Sequence, residues 1–148
     1  MLGEETTIIF LTFLLAIIGY AGLTVTLLLC IKRKVPFLLW RIVAVIILVH
    51  VIMVWAYRYD WQFSLAVRNG YFGFLLFHSA LLMILISISI KESAAKILIR
   101  ISFIVVTIGA VGASFRYDVV AIYRVPVILC AVAGSGKLLW SYFKKLLR

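Results

Sequence analysis

The chain has 148 residues, 66% of them hydrophobic and 14% charged, with a mean hydropathy of +1.23 and a formal charge of +10. That composition is too apolar for a water-soluble domain and assigns the chain to the membrane. Apolar runs use nearly every residue, which excludes a separate soluble catalytic domain and with it most hydrolase and nucleotide-binding designs.

A span needs about 20 mostly apolar residues to cross a hydrocarbon core roughly 30 Å thick. Runs at about 6–31, 37–57, 71–90, 97–115 and 119–143 therefore predict an all-α polytopic bundle of five transmembrane helices in one integral membrane domain. The first run opens "MLGEETTIIF", with Glu4 and Glu5 where a secretory signal carries positive charge, so it reads as a retained span. Lys32, Arg33 and Lys34 follow it; Lys91, Lys96 and Arg100 surround the link from span three to span four; Lys144, Lys145 and Arg148 end the chain. The positive-inside rule puts these clusters in the cytoplasm, the N-terminus outside and the C-terminus inside, as expected in a bacterial plasma membrane. Because the basic residues lie at alternate membrane edges and form no continuous polar face, their expected partner is anionic lipid at the cytoplasmic face, not nucleic acid.

The second span belongs to a unit that occurs twice. "WRIVAVIILVHVIMVWAYRYD" (40–60) and "IRISFIVVTIGAVGASFRYD" (99–118) each place an arginine near the inner edge, then an apolar span, then aromatic-Arg-Tyr-Asp. After each the chain reaches another arginine, Arg68 or Arg124, and a helix-start signal, Asn69-Gly70 or Val125-Pro126. The fifth span thus starts either near Pro126 or at Val119 with a proline kink, and a late start leaves Lys137 deep enough to have to snorkel. Four arginines on the outer side run against the positive-inside bias. Structurally, Asp60 and Asp118 could pair with them, with Tyr57, Tyr59, Trp61, Tyr117 and Tyr123 as an aromatic belt. Functionally, Arg58, Arg68, Arg116 and Arg124 could hold an anionic group below the outer surface.

The only histidines, His50 and His78, lie eight residues before Arg58 and eight after Gly70. At 1.5 Å per residue both sit about 12 Å below the same surface. Tyr57 shares a helix face with His50, and Tyr71 shares one with His78. If the faces meet, the pair suits a six-coordinate haem b iron, with one imidazole from each side. Met53, Phe74, Phe77 and Leu81 would wall the porphyrin. Arg58, Arg68, Arg116, Arg124, Tyr57 and Tyr71 would hold its propionates, and Gly73, Gly109 and Gly112 would admit close helix approach. Two other readings stand beside it: histidines bonded to backbone or hydroxyl groups as packing residues, and a proton or ion path.

The repeat limits the count to one haem, since Ile108 and Gly134 stand at the equivalent positions. Cys30 and Cys130 are lone thiols on different spans, and two histidines leave a zinc tetrahedron open. Gly-Ser-Gly-Lys at 134–137 lacks the first glycine and the final Ser or Thr of a phosphate loop, and reads as a helix-contact surface.

The functional expectation is a small b-type membrane cytochrome transferring electrons, one subunit of a larger assembly with protein partners and a quinone as the candidate redox partner. In layout alone it is similar to the five-helix haem anchors of respiratory oxidoreductases. The alternatives are a cofactor-free scaffold or assembly subunit and a transport component.

Overall fold

The computed structural model describes residues 2–68, 70–116 and 118–147, with side chains for 7–68, 70–116 and 121–147. Among these residues every regular element is helical: α1 (Leu2–Cys30), α2 (Phe37–Met53) continued by a π-helical segment (Val54–Arg58), the short α3 (Phe63–Ala66), α4 (Tyr71–Ser87), α5 (Glu92–Arg116), a 3-10 segment (Asp118–Tyr123) and α6 (Arg124–Leu146).

Among the described residues four stretches are long and apolar enough to cross a membrane: Thr7–Cys30, Phe37–Arg58, Glu92–Arg116 and Ala121–Leu146. The expected third span, 71–90, is the exception. Its helix stops at Ser87 after 17 residues, about 25 Å, or one turn short of a typical hydrocarbon core. The chain turns over Ile88–Ile90 into α5, which starts at Glu92, five residues earlier than its apolar run. At the last span, Pro126 is the third helical residue of α6. An N–H there has no partner within the helix in any case, so the proline starts the helix and does not kink it.

Helix α1 packs against α2, α5 and α6, while α4 lies along α5 and touches α2. The fully buried side chains gather toward the lysine-rich end, where α1, α4 and α6 finish and α2 and α5 begin: Leu23, Leu27, Cys30, Trp40, Ala44, Ile84, Ile99 and Phe103. Small residues set the close approaches. A Cβ on Gly22 would lie 2.5 Å from Val43, and one on Gly134 would run into the Phe103 ring, approaches that no side chain tolerates without a shift. Of the glycines expected to admit close approach, Gly109 does so, against Phe77, whereas Gly73 and Gly112 face open space.

Cross-helix hydrogen bonds complete the ties. Tyr20 and Thr107 hydroxyls meet at 2.8 Å between α1 and α5, and Trp40 Nε1 donates to Ser87 Oγ at 2.8 Å between α2 and α4. In an apolar medium such bonds contribute roughly 0.6 kcal/mol each, up to about 1.7, and they also satisfy polar groups that burial would otherwise penalise. The link between α1 and α2 is held by the Val35 N–H on a carboxylate oxygen of Glu92 (3.2 Å), which also pairs with Lys96 (2.9 Å).

Candidate functional site

His50 lies on the face of α2 that packs on α1. Its Nδ1 is 2.8 Å from the carbonyl oxygen of Thr12. A carbonyl only accepts, so Nδ1 carries the proton and Nε2 keeps a lone pair. No described residue bonds to that second nitrogen.

His78 reaches the same tautomer by another route. Its Nδ1 donates to the carbonyl of Phe74, one turn back along α4, at 2.8 Å. Its Nε2 then accepts the indole N–H of Trp55 at 3.0 Å. The ring stacks on Phe74 with centroids 4.0 Å apart and meets Trp55 edge-on at 5.9 Å.

Measured from the Trp40–Ser87 bond, His50 stands ten residues along α2 and His78 nine residues along α4, about 15 and 13.5 Å. The matched depth expected from the sequence is present, but the shared aim is not. One imidazole leans on α1, and the other is held within its own helix and by Trp55.

Trp55 is the hub of this region. Tyr59, Trp61, Phe74 and His78 all lie within 6.4 Å of it, ring centre to ring centre. The π-helical segment places it there, and the turn after that segment closes back over it. Asp60 and Trp61 adopt φ of 45° and 55°, the left-handed region that costs a residue with a side chain about 1–2 kcal/mol. In return, the Trp61 N–H reaches the Trp55 carbonyl at 3.0 Å, satisfying a helix-end acceptor.

The outer groups fall into two sets. Arg58 ends the π-helical segment and Arg68 follows α3, both exposed on the α2–α4 side. Arg116 and Arg124 lie at the junction of α5 with α6, where Arg124 Nε donates to the Ser114 carbonyl at 2.8 Å and the guanidinium carbon lies 5.6 Å from the centre of the Phe115 ring. Tyr57 and Tyr71 are 64% and 63% exposed, so they do not stack over the histidines as their spacing suggested. The expected pairing of Asp60 with arginine is also absent. Its carboxylate accepts from Gln62 at 3.3 Å, and among the described residues neither Arg58 nor Arg68 forms an ion pair. The corresponding pairing of Asp118, the belt position of Tyr117 and the Asn69 helix start fall outside the described residues, as do the side chains of Glu4 and Glu5 and the terminal Arg148.

Cys30 is buried, its thiol 3.4 Å from the Leu27 carbonyl, and Cys130 is half-buried. Residues 134–137 lie inside α6 with Gly134 pressed on Phe103, so they form a helix contact and not a loop. Among the described residues no three His, Cys, Asp or Glu side chains form a potential metal-ligand group.

A bis-histidine haem iron takes two neutral imidazoles, each with one lone pair, and metal-binding histidines commonly donate their other N–H to a backbone carbonyl. His50 and His78 fit in tautomer, anchoring and depth. They differ from it in direction, and Trp55 holds the His78 lone pair. Sequence reasoning missed Thr12 and Trp55, although a tryptophan five residues beyond His50 carries an N–H that must find an acceptor when it is removed from water. Comparisons with family models, curated proteins and solved structures find no match for this chain.

Proposed function

We propose that the chain is a small b-type membrane cytochrome, with its N-terminus outside, its C-terminus cytoplasmic and α4 as a fifth, short crossing. One observation supports the site. Both imidazoles are anchored through Nδ1–H to a backbone carbonyl, at equal depth on neighbouring helices, so that Nε2 is the remaining donor atom on each. A bound haem would supply one-electron transfer, in an assembly whose partner is a quinone pool. The chain's own part is to present Nε2 of His50 and of His78 and to release Trp55 from His78. Arg58 and Arg68, exposed beside α2 and α4 and free of carboxylates, are the propionate donors in this reading. Arg124 is already engaged with Ser114. The two R-Y-D helix ends are consistent with an internal duplication in which only the first copy kept its histidine.

The Trp55–His78 hydrogen bond favours a second reading, a cofactor-free scaffold in which both histidines are packing residues. Visible spectroscopy separates the two. Protein purified after haem-sufficient expression is expected to show, when reduced, the bands of a six-coordinate b haem, lost in both His50→Ala and His78→Ala. A colourless preparation selects the scaffold, and a six-coordinate spectrum surviving in either variant would remove that histidine as a ligand.

A further inference from the structure

At the lysine-rich end one cation is poorly accounted for. Arg100 is half-buried on α5, and its buried Nε has no hydrogen-bond partner among the described residues. A guanidinium donor withdrawn from water needs an acceptor. The nearest acid in sequence, Glu92, is already taken by Lys96 and by the Val35 N–H.

The α5–α6 contact adds a second cation. Phe103 packs on Gly134. Three residues from that contact toward the lysine-rich end, α5 carries Arg100 and α6 carries Lys137. A step of three residues stays near the same helix face and moves about 4.5 Å along the axis, which puts the two residues at about one level on the two helices that form the seam. Lys137 is also half-buried, nine residues before the end of α6 and about 13 Å inside it. A long basic side chain at such a position lays its stem along the helix and turns its charged head toward the headgroup layer. The charge here is one-sided: of the described side chains only Glu92 is acidic at this end, against Lys32, Arg33, Lys34, Arg41, Lys91, Lys144 and Lys145 besides the pair itself.

We propose that Arg100 and Lys137 form a specific site at the α5–α6 seam for the phosphate of an anionic phospholipid, with the Arg100 guanidinium as its main donor. The acyl chains would follow the apolar outer face of α6, where Leu129, Val132 and Trp140 are exposed. The site is distinct from the general attraction of the terminal lysines to a negative leaflet, because it uses a buried donor and a fixed level.

The test is native mass spectrometry of the full chain after delipidation and titration with phosphatidylglycerol or phosphatidylcholine. Wild type is expected to retain phosphatidylglycerol selectively. Arg100→Gln and Lys137→Gln should each weaken retention by about tenfold, the scale of one charge-assisted hydrogen bond. Arg41→Gln and Lys144→Gln, which remove the same charge elsewhere, should change it less than about twofold. Arg100→Lys, which keeps the charge without the fork, should fall between. Equal losses in all four glutamine variants, or equal retention of both lipids, would overturn the proposal in favour of unspecific attraction. Displacement of the lipid by excess inorganic phosphate would overturn the lipid as its ligand. Should Arg100→Gln fail to fold, the more peripheral Lys137→Gln carries the same test.

Discussion

Trp55 donates its indole N–H to the one lone pair left on His78, across 3.0 Å and between two helices. The tie stabilises the α2–α4 contact, and it also occupies the atom that would bind iron. Trp55→Phe keeps the ring in the aromatic cluster and removes the donor. A cross-helix bond of about 0.6 to 1.7 kcal/mol makes the expected gain in haem affinity roughly three- to twentyfold. Absorbance titration of the apoprotein measures it, and an unchanged or weaker affinity would show that indole and iron do not compete.

His50 has two separable jobs. Asparagine places an amide N–H where Nδ1–H stands, within reach of the Thr12 carbonyl, but offers no imidazole lone pair. His50→Asn is therefore expected to keep most of the thermal midpoint of the wild-type apoprotein while losing six-coordinate haem, whereas His50→Ala loses both the ligand and roughly 0.6–1.7 kcal/mol of the α1–α2 contact. Equal destabilisation by the two variants would remove Thr12 as the anchor.

At the α5–α6 seam, Gly134→Ala would drive a methyl into Phe103, and the expected cost is about 1–3 kcal/mol. Gly136→Ala, two residues on, meets open space and should be neutral or stabilising by up to about 1 kcal/mol through helix propensity. Phe103→Leu in the Gly134→Ala background should recover part of the loss. A seam insensitive to Gly134→Ala in thermal or denaturant unfolding would contradict this packing.

Tyr20 and Thr107 share a single hydrogen bond between α1 and α5. Tyr20→Phe and Thr107→Val should each cost about 0.5–1.5 kcal/mol, and the double variant less than the sum. Additive losses in the cycle would mean that the hydroxyls do not interact.

Much of the fold was legible because membrane burial is written in composition. Four of the five expected spans stand within a few residues of their apolar runs. The third fell short because hydropathy registers how apolar a run is and not where its helix stops: α4 ends at Ser87, whose hydroxyl accepts Trp40 in a contact set by tertiary packing. Depth was equally readable, since helical rise alone places His50 and His78. Facing was not. Tyr57 shares a helical angle with His50 on paper, but the π-helical segment, with its i→i+5 bonds and smaller rotation per residue, changes the angle at that end of the helix. Nor does a pattern in one helix reveal which neighbour it meets, so Thr12 on α1 could not be anticipated as the partner of His50.

The concentration of buried side chains toward the lysine-rich end has a mechanical corollary. Helices clamped at one end and more loosely joined at the other behave like the blades of a clothes-peg, with compliance rising away from the grip. Amide exchange should follow that gradient, slowest near Leu27, Ala44 and Ile99 and fastest near the strained Asp60–Trp61 reversal. Any guest arriving at the imidazoles would find the yielding end of the tool, able to part without disturbing its pivot.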